Sequence, residues 1–488
     1  MTEDTIFAFA SGAGRAAIGV FRLSGPKVRD IVEAMTAPGS PHGEGIVALQ
    51  PRYAQLVKFI DPRSKDIIDQ GLVLWFPSPA SFTGEDAAEF HIHGGPAVQA
   101  AFVQAFGKME GLRPAVPGEF TRRAFLNGKL DLSAAEGLAD LIDAETEAQR
   151  RQAVRLMSGR LRGQVSRWRA VLLEAAALIE GEIDFSDEAD VPKAVAGRLR
   201  DLLMPLRADL TKELSARAAE RIRDGLTIVI AGPPNAGKST LMNALARRDV
   251  AIVSEHAGTT RDTIEVHLDI EGLPITLIDT AGLRESADPV EQIGMSRARE
   301  RSKDADLVLW LSEAEAPIAP DPALLKTQVW PVFTKADLAQ RGSAPDPHPE
   351  ERAKLASRRM EKPRPSPFEP AAAQPPQGER LSSIEADMGL SISAATGEGV
   401  DQLVEKLGAF AISATFNGEA GLITRERHRQ AFGAAASALE RILADLNRPI
   451  EFLAEDLRLA TRALESLVGG VDVEDVLGEI FSRFCVGK

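Results

Sequence analysis

At 488 residues, 44% of them hydrophobic and 26% charged, the chain has the composition of a soluble globular protein and the length of about three domains. A formal charge of −14 argues against nonspecific nucleic-acid binding by the whole surface, although a local basic patch can still capture phosphates. No apolar stretch approaches the roughly 18 residues of a membrane span, Met1-Thr-Glu-Asp4 lacks the basic start and apolar core of a secretory signal, and the lone Cys485 fits a reducing compartment; a cytoplasmic protein with no membrane span is expected.

Residues 1–127 mix strand-like segments (Thr5 to Phe9, Ile18 to Leu23, Gly71 to Phe76, Ala88 to Ile92) with Gly/Pro turns and a helix-like run from Ala97 to Met109, which reads as an N-terminal α+β domain. His91 and His93 share a strand face but lack the further ligands that zinc needs, so satisfied side chains are expected there. Residues 128–223 turn to helical spacing, with Leu138, Leu141 and Ile142 and later Leu199, Leu202, Leu203, Leu206 and Leu210. The arginines 150, 151, 155, 160, 162, 167 and 169 spread over several helix faces, which favours solvated or interhelical ion pairs over a phosphate-binding patch.

A nucleotide domain of α/β type spans 224–408. The strand-like Leu226-Thr-Ile-Val-Ile-Ala231 runs into Gly232-Pro-Pro-Asn-Ala-Gly-Lys-Ser239, a complete phosphate-binding loop. Gly232 and Gly237 permit the tight turn that points successive N–H groups of Asn235, Ala236 and Gly237 at phosphates, and the helix opening at Lys238, Ser239 and Thr240 offers its positive end. Lys238 is placed to reach the β- and γ-phosphates, and Ser239 to bind Mg2+ through its hydroxyl. Gly258-Thr-Thr260 follows, then Asp279-Thr280-Ala281-Gly282, in GTPase order: Thr260 closes over the γ-phosphate and Mg2+, Asp279 holds the metal through water and the Gly282 N–H senses the γ-phosphate.

Base choice is expected from Thr334-Lys335-Ala-Asp337 and from Ser393-Ala394-Ala395. Asp337 accepts from the guanine donors that adenine lacks, so GTP is the expected nucleotide. The Asn usual at the first position is Thr334 here, which removes an amide that would bond the guanine and brace the phosphate loop. Either the hydroxyl replaces part of that amide, or guanine affinity falls by roughly the 0.5–1.5 kcal/mol of one net hydrogen bond. The insertion 339–382, rich in proline from Pro345 to Pro376, is expected to be disordered. Helical periodicity resumes in 409–488, so the simplest architecture inserts the nucleotide domain into a discontinuous helical one.

These motifs, with Phe21-Arg-Leu-Ser-Gly25, Ser81-Phe-Thr-Gly-Glu-Asp86, Phe125-Leu-Asn-Gly-Lys-Leu-Asp131 and the terminal Phe484-Cys-Val-Gly-Lys488, make nearly the whole chain resemble the MnmE/TrmE-type tRNA modification GTPases. The resemblance implies an N-terminal domain that binds formyl-tetrahydrofolate and forms the homodimer, a discontinuous helical domain and an inserted Ras-like G domain. It implies a flavin-dependent partner of the MnmG/GidA type, assembling as a heterotetramer, with which the protein adds a carboxymethylaminomethyl or aminomethyl group to the wobble uridine of certain tRNAs. Arg22, Glu85, Lys129 and Lys488 match the family's folate positions, whose chemistry suits a pterin and glutamyl carboxylates. Cys485 matches a cysteine associated with the modification reaction.

Leu283 follows Gly282 and cannot position an attacking water. By resemblance Glu291 is the catalytic glutamate, acting through a bridging water, with Glu285 and Asp288 as alternative carboxylates in the same segment. Asn235 matches the family's K+ ligand, and Ser254, Glu255, His256, Ala257, Gly258 and Thr259 would wrap that ion, with Ser254, His256 and Thr259 among its ligands. The ion would supply the positive charge an arginine otherwise brings, Arg261 being the rival for that role. A regulatory or ribosome-assembly GTPase whose N-terminal domain only docks a partner is the competing reading, and an ATP-driven motor is disfavoured by Asp337.

Overall fold

The computed structural model describes residues 4–12, 14–37, 49–184, 191–248, 250–252, 265–279, 305–320, 327–341, 389–416, 421–470, 477–478, 481, 484 and 487. The chain forms two compact units, one of Met1–Ala144, Gln149–Ala219 and Gly421–Lys488, the other of Glu145–Ala148 and Glu220–Ala420. The insertion 339–382 lies outside the described residues except for its first three positions.

The first unit begins with a seven-stranded sheet: β1 (Thr5–Phe9), β2 (Ile18–Ser24), β3 (Thr36–Ala37), β4 (Gln55–Ile60), β5 (Ile67–Phe76), β6 (Ala87–His93) and β7 (Leu112–Pro114), in the order β3-β4-β5-β6-β2-β1-β7. Alternation along β2 and β4 buries every second side chain, and that face packs under α1 (Val28–Met35) and α2 (Pro96–Phe106). Phe21, Phe59, Phe90, Phe102 and Phe106 pack there ring against ring. The sequence reading found β1, β2, β5, β6 and α2; it missed α1, β3, β4, β7 and the short α3 (Glu119–Leu126), whose buried face carries the charged Glu119 and Arg123 and so breaks the apolar period.

The same unit continues into helices: α4 (Leu132–Asp143), α5 (Glu147–Met157, its first two residues in the other unit), α6 (Arg160–Asp184) and α7 (Val191–Ser215), then α8 (Ala218–Asp224), which leads out of it. The chain returns after the second unit in α12 (Glu426–Ala444) and α13 (Ile450–Ser466). Leu199, Leu203, Leu206 and Leu210 form one core with Trp168, Phe432, Leu439 and Leu457, so the helices before and after the nucleotide unit share a single hydrophobic interior. Two arginines of the basic run are tied down here, Arg169 to Glu465 at 2.5 Å and Arg162 to Asp131 at 3.9 Å. No helix among the described residues is long and apolar enough to cross a membrane.

The second unit is a six-stranded sheet of β8 (Leu226–Ala231), β9 (Glu265–Ile270), β10 (Leu273–Asp279), β11 (Leu307–Glu313), β12 (Val329–Thr334) and β13 (Leu390–Ser391), in the order β13-β12-β11-β8-β10-β9. All neighbours are parallel except β9 with β10. β8 is buried along nearly its whole length, as a central parallel strand must be. Helices α9 (Lys238–Ala246), α10 (Ala336–Arg341) and α11 (Val400–Phe416) follow β8, β12 and β13.

Candidate nucleotide site

Parallel strands carry their connecting loops at one edge, and the ligand crevice of such sheets lies outside the carboxyl ends of the strands. That edge here gathers the phosphate loop after β8, Asp279 at the end of β10, Thr334-Lys335 at the end of β12 and Ser393 after β13. Ala336 N donates to Ile392 O at 3.1 Å and Ile392 N to Phe333 O at 2.7 Å, which sets the two base-recognition segments side by side. Asp337 is half-buried in the first turn of α10. Ser393 is buried and caps its own turn, with Gly397 N donating to its carbonyl at 2.8 Å and Thr396 N to its hydroxyl at 3.3 Å.

Within the phosphate loop Asn235 sits at φ 64°, a left-handed position that asparagine tolerates better than most residues, and Gly237 at φ 86° precedes α9. Lys238 Nζ donates to the carbonyls of Gly232 at 3.0 Å and Pro233 at 2.9 Å, folding the side chain across the loop. Burial pulls the Lys238 ammonium below the usual lysine range, and the charge of Asp279 opposes that shift. Ser239 Oγ donates to Asp279 Oδ2 at 3.1 Å, and Asp279 is buried. A hydroxyl and a carboxylate so placed are hard oxygen donors, the set that suits Mg2+.

At Thr334 the hydroxyl takes over the bracing part of the missing amide. It lies 2.8 Å from Ala236 O and 3.1 Å from Ser312 O, so the phosphate loop is braced from β12 although the amide is missing. Lys335, at φ 59°, forms an ion pair with Glu313. Glu291, Ser254 to Thr260, and Thr280, Ala281 and Gly282 lie outside the described residues, as do Cys485 and Lys488.

A second cluster lies in the N-terminal sheet, around the loop Ser81 to Asp86. Arg22 on β2 pairs with Glu89 at 2.9 Å and stands over the Phe82 ring at 5.7 Å. Ser24 Oγ donates to Glu85 Oε2 at 2.8 Å. The exposed Lys129 runs beside Gly84, where an added Cβ would lie 3.1 Å from Lys129 Cε. Arg22, Glu85 and Lys129 thus converge on one loop. Arg123 was missed: only 2% exposed, it donates to Glu85 Oε2 at 3.0 Å and reaches Asp4 and Glu119, fixing the Glu85 carboxylate. Its signal was an arginine on the buried face of α3, between Phe120 and Ala124. Of the strand histidines, His91 pairs with Glu89 at 3.3 Å and His93 with Asp69 at 2.8 Å. Phe484 and Phe481, near the terminus, pack with Leu132 and Ala135, and an added Cβ on Gly487 would lie 3.0 Å from Phe9 O.

A phosphate loop, a serine hydroxyl bonded to the buried Asp279 and two base loops at the carboxyl ends of the parallel strands of one sheet define a nucleotide-binding G domain. Residues 5–129 match the family model of the GTP-binding protein TrmE N-terminus, and residues 132–485 that of the MnmE helical domain. The chain is 54% identical over its whole length to the tRNA modification GTPase MnmE of Beijerinckia indica subsp. indica, covering 96% of that protein. It is 50% identical to that of Rhodopseudomonas palustris strain BisB5, covering 100% of this chain and 99% of that one. The chain belongs to the MnmE/TrmE family of tRNA modification GTPases. Among solved structures, the G domain of a T. maritima FeoB iron transporter is 24% identical over 38% of this chain and 98% of its own length, at a TM-score of 0.22, a likeness too slight to carry function.

Proposed function

We propose that this protein is a K+-stimulated GTPase that works with a flavin-dependent partner of the MnmG/GidA type to add a carboxymethylaminomethyl or aminomethyl group to the wobble uridine of certain tRNAs. The observation that carries the GTPase part is the convergence of Lys238, Ser239, Asp279 and Asp337 on one sheet edge. Lys238 neutralises phosphate charge, Ser239 and Asp279 hold Mg2+ directly and through water, and Asp337 accepts from guanine. Asn235 supplies an amide oxygen to K+, with Ser254, His256 and Thr259 completing the wrap, and Glu291 orients the attacking water.

The N-terminal cluster is proposed to bind formyl-tetrahydrofolate in a homodimer, with Arg22 and Lys129 toward its carboxylates and Glu85 toward its pterin donors, and with Lys488 adding a further charge. Cys485 serves the modification reaction, and the two proteins assemble as a heterotetramer.

Steady-state GTP hydrolysis is expected to be fast in KCl and slow in NaCl at equal ionic strength, with ATP inert in both. Equal rates in the two salts would remove the Asn235 cation site. For Glu291→Ala, turnover is expected to fall by roughly a hundredfold, the scale of one lost general-base or water-positioning group, while GTP affinity stays within twofold. A wild-type rate would assign the water to another carboxylate, Glu285 or Asp288.

A further inference from the structure

Thr334 is 2% exposed, and two hydrogen-bond partners of its hydroxyl, Ala236 O at 2.8 Å and Ser312 O at 3.1 Å, are carbonyl oxygens that can only accept. A hydroxyl has one hydrogen, so it donates to one of these carbonyls and has none left for a ligand. What remains on Oγ1 is lone-pair capacity. The N7/O6 edge of guanine presents acceptors alone, and acceptor cannot bond acceptor.

We infer that this protein recognises guanine without a side-chain bond from position 334 to N7. Thr334 is a positioning residue that acts through the phosphate loop, and base choice at this site rests on Asp337. The inference rests on the GTPase reading and narrows it. Ala236 is buried, and its carbonyl immediately precedes Gly237 and the start of α9, so the bond from β12 fixes the stretch from which Lys238 and Ser239 are aimed. The Thr334 side chain also covers Gly237, where an added Cβ would lie 3.8 Å from it. Loss of the hydroxyl would leave a buried carbonyl unpaired and free this turn, which weakens phosphate binding whatever base is attached.

The test is titration of the full-length protein with GTP and with 7-deaza-GTP, which replaces N7 by a carbon. The wild type is expected to bind the two within about twofold. Thr334→Val, which keeps the volume, is expected to weaken both alike by about three- to tenfold, the scale of one hydrogen bond, and Thr334→Ser to recover most of the loss. A wild-type preference of tenfold for GTP over 7-deaza-GTP would overturn the inference, as would unchanged affinity in Thr334→Val. If the valine variant fails to fold, the wild-type comparison still decides. Failure to bind GTP or 7-deaza-GTP at all would remove the GTPase reading itself, a result distinct from either of these.

Discussion

Glu136→Ala is expected to destabilise the helical core by about 3–5 kcal/mol, the cost of removing one partner from a buried ion pair. Glu136 on α4 is 1% exposed and receives a fork from Arg427, Nε to Oε1 at 3.1 Å and Nη2 to Oε2 at 2.8 Å. His428 Nε2 lies 2.9 Å from Oε2, while its Nδ1 faces the Thr424 N–H at 3.4 Å, so the ring is the neutral tautomer with its hydrogen on Nε2. Arg425 Nη2 adds a bond to the neighbouring Asp140 at 2.6 Å. Burial alone would raise the Glu136 carboxyl, but the hydrogen bond from His428 and the charge of Arg427 hold it at about 2, against an ordinary value of 4.5. Burial likewise pushes His428 below the usual imidazole range, against the pull of Glu136.

A carboxylate whose native value is depressed adds stability that is fully present above pH 4.5 and lost as the pH falls from there toward 2, about 3 kcal/mol in all. His428 acts in the same sense over a higher range: kept neutral in the native state, it costs stability as acid below its ordinary 6.5 protonates the unfolded chain. The difference in stability between wild type and Glu136→Gln should therefore be largest near neutral pH and shrink below pH 4.5. Urea unfolding at several pH values, with amide exchange in α4 and α12 as a local readout, measures it. A difference independent of pH would mean that Glu136 is not ionised in the folded protein.

Lys238→Met is expected to reduce GTP affinity by about a hundredfold or more with little change in melting temperature. The ammonium is the positive group of the phosphate loop, and two charge-assisted hydrogen bonds at roughly 1.5–3 kcal/mol each account for that factor. Methionine keeps the apolar stem that is buried beside the loop, so folding is spared apart from the two carbonyl contacts with Gly232 and Pro233. Fluorescent-nucleotide titration with a thermal melt separates the two effects. Gly232 could not be used for this experiment: at φ 149°, a Cβ there would stand 2.2 Å from Leu311 O on β11, and any side chain would break the sheet before it touched a nucleotide.

The sequence by itself determined the phosphate loop, its strand and helix, and the order of the motifs that follow, because each depends on neighbours within a few residues. Glycine spacing, a β-branched run and a helix start are local requirements that a linear reading meets directly. The same holds for the leucine stripe of α7 and the alternation of β2. What only the tertiary structure decided are the partners of polar groups far apart in the chain. Thr334 braces a carbonyl 98 positions away, and Glu136 meets Arg427 across 291 positions. Arg123, which fixes Glu85, sits on a helix the sequence hid. Periodicity states that a face is buried, but which donor meets which carboxylate depends on how separate faces are brought together, and no spacing along the chain encodes that.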